Sequence, residues 1–173
     1  MTPEAFDLLF TREGLRPFHP HTGSAGLMPM LVVYTETECV VFALSLDDFN
    51  DIAARHTYLR GLGLACAQRY RGVEAVCFGS EAWVRTFTQE EHAARGGRLV
   101  ETYPDKEERI VVFGQMADGA VRIVHAQLYR RPDGTVERLG AWSVHQDSPE
   151  GKVSSPLLDA FWLGYRQGMG PAN

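Results

Sequence analysis

Lysine is nearly absent from this chain: of its 17 basic residues only Lys106 and Lys152 are lysines, and the other 15 are arginines. Such a bias records a GC-rich genome more often than a chemistry, and it points to a bacterial origin. Cysteine is also sparse. Cys39, Cys66 and Cys77 form an odd set, each in an apolar stretch and without the paired spacing of a zinc site. That excludes a disulfide framework and leaves reduced, buried thiols as the expectation. No apolar run approaches the roughly 20 residues that a membrane span needs, and the acidic opening MTPEAF followed by TREG does not read as a secretory leader. A soluble, cytoplasmic protein is expected. Positive charge is short as well: a net charge of −5 and a pI near 5.7 argue against a surface that tracks a phosphate backbone. Repeats, low-complexity segments and assembled cofactor or metal motifs are all missing, so no cofactor and no metal is expected.

What is present is a core. At 173 residues and 45% hydrophobic content the chain fits a single domain, residues 1–173. TPEAFDLLF reads as a short helix with Thr2 as cap, Pro3 at the first helical position and Phe6, Leu9 and Phe10 on one face. Residues 15–29, rich in proline and glycine, read as a loop. Leu31 to Tyr34 and Cys39 to Leu44 predict a hairpin. Asp47 or Asp48 is then expected to cap a long helix whose stripe runs from Phe49 to Tyr70, with Gly61 and Gly63 marking close approach to a sheet. Gly72 ends it. VEAVCFGSEAWVRTF predicts the next strand, parallel to the one before the helix through a right-handed crossover.

Thr88 and Glu91 match a capping box opening a short helix that Gly96-Gly97 stops, and residues 97–108 read as a polar linker or lid. Three strands follow, Arg109 to Met116, Ala120 to Arg130 and Thr135 to His145, joined by the tight-turn signals Ala117-Asp118-Gly119 and Pro132-Asp133-Gly134. Ser154-Ser155-Pro156 starts a last helix with Leu157, Leu158, Phe161, Trp162, Tyr165 and Met169 on a broad face. The sum is an α+β fold: a mixed, mostly antiparallel sheet of about five to six strands, with a long crossover helix and a C-terminal helix packed on it.

Chemistry is offered at few positions. FGSEA invites comparison with a nucleophile elbow, with Ser80 as nucleophile, His125 or His145 as base and Asp147 or Asp159 as orienting acid. The glycine spacing is wrong for that motif, and the helix cap comes only at Thr88. Alternation places Ser80 with Val76, Phe78, Ala82 and Val84 on one face of the strand, and Glu81 with Cys77, Gly79, Trp83 and Arg85 on the other. Glu81 is therefore expected to pair with an arginine, Arg85 or Arg109, unless it enters a pocket as an acid-base group. Gly79 is read as a bulge that re-aims the residues after it. His19-Pro20-His21 has the ligand type of a metal site without the ligand number, and a solvated loop is expected. His56 falls on the apolar stripe as a core histidine. Arg122, Arg130, Arg131 and Arg138, with Tyr129 among them, line one hairpin that would suit phosphates if it were not diluted by Asp133 and Glu137.

An apolar strand ending in Ser80-Glu81-Ala82-Trp83, a polar linker with Pro104-Asp105-Lys106-Glu107-Glu108, and then the strand RIVVFG together resemble a pattern in small uncharacterised bacterial proteins. The resemblance covers residues 40–130 and implies no activity; it draws attention to Glu81 and Glu108. The expected function is a non-catalytic binding or interaction module, forming a homodimer through an exposed sheet edge or taking an unidentified protein or small molecule. A hydrolase or acid-base enzyme using Glu81 with Ser80 or His125 is the alternative, and nucleic-acid binding through the hairpin 122–138 a second. Neither nucleic acid nor membrane is expected as a partner.

Overall fold

A computed structural model describes residues 1–45, 51–85, 87–94, 96, 100–144 and 155–170. Among them the chain runs α1 (Pro3–Leu8), β1 (Met30–Thr35), β2 (Cys39–Ala43), α2 (Ile52–Arg69), β3 (Val73–Val84), α3 (Gln89–Ala94), β4 (Glu107–Met116), β5 (Val121–Arg130), β6 (Val136–Leu139), β7 (Ser143–Val144) and α4 (Pro156–Met169). The fold is α+β: a curled sheet in the order β2-β1-β3-β4-β5-β6 with the two long helices α2 and α4. Every pairing is antiparallel. β2 and β3, which flank α2 in sequence, do run in the same direction, but β1 lies between them and pairs with both. No described helix is long and apolar enough to cross a membrane.

Local chemistry explains most boundaries. Thr2 Oγ1 accepts the Ala5 N–H at 3.2 Å and starts α1. The expected cap at Asp47 or Asp48 lies outside the described residues; α2 begins after Asp51, whose carboxylate accepts from Ala53 N at 2.6 Å and Ala54 N at 3.2 Å. Thr88 and Glu91 form the reciprocal capping box, with Glu91 N donating to Thr88 Oγ1 at 3.2 Å and Thr88 N donating to Glu91 Oε2 at 2.9 Å. Gly119 and Gly134 sit at φ 95° and 83° in the two tight turns, a region glycine enters without steric cost. The single strand expected over 135–145 is divided: β6 and β7 both pair with β5, and Gly140 N donates to Gln127 O between them.

The sheet is buried on both faces. Leu31, Val33, Val76 and Phe78 pack under α2 and α4 with Leu59, Cys66, Leu158, Phe161 and Trp162. Val32, Cys77, Ile110, Val112, Val124 and Leu128 meet the N-terminal segment through Leu15 and Phe18. Two strand glycines make that second contact possible. A Cβ at Gly79 would lie 2.2 Å from Phe18 Cδ1, and one at Gly114 2.3 Å from Phe10 Cζ. Gly79 is thus not a bulge: β3 and β4 stay in register through it, and the missing side chain is replaced by the Phe18 ring. The helix glycines also act differently from expectation. Gly63 approaches α4 rather than the sheet, with its Cβ position 2.0 Å from the Phe161 carbonyl oxygen, whereas Gly61 faces open space.

Candidate functional site

β3 carries Ser80 and Glu81 onto opposite faces of the sheet. Ser80 pairs with Val111 and Val111 with His125, so these three side chains share the face on which α2 and α4 pack. Glu81 pairs with Ile110 and Ile110 with Ala126, so Glu81 shares the other face with the N-terminal segment. Ser80 and His125 are separated by a whole strand, roughly 10 Å at ordinary strand spacing. The three positions considered for acid-base or nucleophilic chemistry are thus divided by the sheet and by β4. No elbow forms either, because β3 continues past Ser80 to Val84.

The proposed triad partners are elsewhere. Asp159 on α4 accepts from Gln115 Nε2 at 2.7 Å. Gln115 lies four residues along β4 from the position facing His125, roughly 13 Å at the rise of a strand. His145 and Asp147 lie outside the described residues. Arg109 Nη1 lies 2.9 Å from His125 Nδ1 and 3.3 Å from Nε2, so a guanidinium that can only donate faces the imidazole ring. Arg109 is also bound to Glu107, its Nε lying 2.9 Å from Oε2.

Glu81 does meet an arginine, and it is Arg130. Arg85 and Arg109, the partners expected from sequence, are engaged elsewhere. Arg130 is the last residue of β5 and projects from the same face as Ala126 and Leu128, which brings it over the end of β4. Its Nη2 donates to Glu81 Oε2 at 2.7 Å and Glu108 Oε1 at 2.9 Å, and its Nε to Glu108 Oε2 at 2.8 Å. Its Nη1 donates to the carbonyls of Ala25 at 2.6 Å and Gly134 at 2.8 Å. All five guanidinium N–H groups are therefore used. The Glu108 hydrogen bond, with the charge of Glu81 adding to it, raises the Arg130 pKa. The other Glu81 oxygen accepts the Leu27 N–H at 2.6 Å. Glu81 also borders a 330 Å³ recess with residues 25–29, which neither Ser80 nor His125 lines.

Arg85 organises a second cluster. Its Nε donates to both Asp105 oxygens at 2.8 Å and its Nη2 to Glu91 Oε1 at 2.9 Å, while its Cζ lies 4.4 Å from the Phe87 ring centroid and 4.7 Å from that of Tyr103. The described part of the linker, residues 100–106, is thereby held to the end of β3 and to α3. In the arginine hairpin, Arg122 binds Asp7 at 2.9 Å, Arg130 is saturated, and Arg138 stacks on Tyr129 at 3.6 Å. Three of its four cations thus already have partners within the chain.

A cavity of 820 Å³ is lined by Arg12, Glu13, Arg16, Pro17, His19 and His21. His56 borders a separate 390 Å³ cleft between α2 and α4. No group of three or more metal-ligating side chains occurs among the described residues. Cys39 is exposed, contrary to the reading of three buried thiols, while Cys66 and Cys77 are buried. Comparison of the chain with protein-family models, with curated proteins and with solved structures finds no match. Sequence reasoning missed Arg130 and Phe18, the residues that occupy the space beside Glu81 and Gly79. The signal for Arg130 was its parity with Ala126 and Leu128; for Phe18, a glycine inside an otherwise apolar strand.

Proposed function

We propose that the protein is a non-catalytic interaction module that pairs with a second copy of itself through the free edge of β2. The observation that carries this reading is the difference between the two edges of the sheet. At β6 the edge is covered: Gly23 N donates to Val136 O at 2.8 Å, Val136 N donates to Ser24 O at 2.9 Å, and Glu137 and Arg138 follow as exposed charges. At β2 no described residue pairs with the outer side. The bonds from Leu44 N to Pro29 O and from Thr35 N to Glu38 O mark the pairs whose backbone faces β1. By strict alternation Cys39, Val41 and Ala43 turn their N–H and C=O groups outward.

Those same residues are solvent-exposed, Val41 by 52%, and CVVFA contains no charge, proline or bulge of the kind that guards an edge. Antiparallel pairing about a two-fold axis at Val41 sets Cys39 against Ala43 of the second copy and forms about six main-chain hydrogen bonds. Glu38 of one copy then falls opposite Leu44 of the other, so the acidic turn residues do not meet. The division of Ser80, His125 and Glu81 between two faces supports the non-catalytic half of the reading.

Light scattering coupled to size exclusion at micromolar concentration tests it. A dimer is expected for the native chain and a monomer for Val41→Pro, which removes an outward N–H that no bond to β1 uses. A monomeric native chain, or a Val41→Pro variant that remains a dimer, overturns the proposal.

A further inference from the structure

We infer that the 820 Å³ cavity on the N-terminal segment is a binding site for a small phosphate-class polyanion. The cavity collects two guanidinium groups, Arg12 and Arg16, and two imidazoles, His19 and His21, against one carboxylate, Glu13. In a chain of net charge −5 that concentration runs against the overall balance. Four arginines elsewhere are held by carboxylates, Arg85 by Asp105, Arg109 by Glu107, Arg122 by Asp7 and Arg130 by Glu81 and Glu108, while Arg60 binds Gln167 and Arg138 stacks on Tyr129. Arg12 and Arg16 make no side-chain hydrogen bond or ion pair among the described residues, although Glu13 lines the same cavity. Two guanidinium forks with free donors and an adjacent imidazole pair suit an anion with several oxygens.

The scaffold beneath is fixed. Leu15, Phe18 and Pro20 alternate with the cavity residues and are buried, Phe18 in the notch over Gly79. Gly14 brings the turn so close to α1 that a Cβ there would lie 2.4 Å from the Leu9 carbonyl oxygen. The cationic groups thus project from anchored backbone. A metal ion fits poorly, since two guanidinium charges would repel it and the described residues offer no set of three ligands.

Titration of the full chain with pyrophosphate at low salt, followed by amide chemical shifts, tests the inference. Saturable binding is expected, with shifts centred on residues 12–21 and an affinity at least tenfold above that for chloride. Arg12→Gln/Arg16→Gln, both exposed positions, is expected to weaken binding by tenfold or more with an unchanged melting temperature. Arg122→Gln/Arg131→Gln, which removes the same two charges at exposed positions away from the cavity, serves as the charge-matched control and should bind as the native chain does. Absence of saturable binding, shifts centred elsewhere, or equal loss in the control variant overturns the site. Titration with anionic phospholipid vesicles distinguishes the source of the anion: the inference requires that free pyrophosphate compete for the same residues, and vesicle binding without such competition overturns it.

Discussion

Replacing Arg130 by methionine removes the cation that holds Glu81 and Glu108. Five hydrogen bonds are lost, three to carboxylate oxygens and two to carbonyls. Glu81 and Glu108, bound to one guanidinium, would face each other at roughly 5 Å, a repulsion of about 3 kcal/mol at an effective dielectric of 20. Side-chain exposures of 26% and 18% let water screen part of this, and Leu27 N still serves Glu81. The carbonyls of Ala25 and Gly134 are exposed and pass to water at little cost. A net loss of about 3 kcal/mol results, at the low end of what breaking a buried pair costs and well above a surface pair. Urea denaturation followed by circular dichroism measures it. Adding Glu81→Gln and Glu108→Gln to the methionine variant is expected to restore about 2 kcal/mol by removing the repulsion. Arg130→Lys keeps the charge but not the fork, and should fall between. A loss below about 1 kcal/mol for Arg130→Met, with no recovery in the neutralised variant, would refute the reasoning and class the cluster as a screened surface network.

Two further outcomes rest on packing and burial. Gly164→Ala would place a Cβ 1.9 Å from the Arg60 carbonyl oxygen. Backbone cannot swing aside, so α2 and α4 must separate, at about 2 kcal/mol net of the helix propensity gained; Gly61→Ala, with nothing within 4 Å, should be neutral or slightly stabilising in the same thermal melts. Burial pushes the Cys66 thiol up from 9.0 to about 11. The unfolded chain ionises first, so this stability is complete below pH 9 and is lost as pH rises toward 11, roughly 3 kcal/mol in all. Cys77 and Tyr34 shift in the same direction for the same reason. Cys66→Ala should flatten the decline of unfolding free energy between pH 9 and 11, and an unchanged slope would show that the thiol is solvated in the native state.

Local signals carried well into the structure where one element sufficed to read them. Thr2, the Thr88 and Glu91 box, and the Asp-Gly turns each depend on neighbours in sequence, and each is found in place. Strand alternation also separated Ser80 from Glu81, because side-chain direction in a strand needs no partner strand. What alternation could not supply was the register of β4 and β5, and with it the side on which His125 lies. The partner of Glu81 was illegible for the same reason: Arg85 and Arg109 are nearer in sequence, but Arg130 arrives across two strands. Gly79 was misread because a bulge and a notch for a distant ring leave the same glycine in the sequence. Gly63 was misattributed to the sheet since α4, the element that touches it, begins more than 90 residues later, and Gly61 approaches neither.

The clamp around Glu81 and the covered edge at β6 are linked through one loop. Arg130 holds the Ala25 carbonyl, Glu81 holds the Leu27 amide, and between these anchors and β6 lie the two bonds that cover Val136. Gly26 is required there, since a Cβ would fall 2.0 Å from Glu81 Oε1 and its φ is +147°. The carboxylate that the sequence singled out therefore serves to close one side of the sheet. Loss of Arg130 should free residues 23–27 and uncover β6, giving the sheet two open edges instead of one. An isolated open edge pairs once and stops at a dimer, whereas two open edges per chain permit head-to-tail addition without closure. On this reasoning Arg130→Met should form species larger than a dimer in light scattering, and Val41→Pro in the same chain should return them to dimers or smaller.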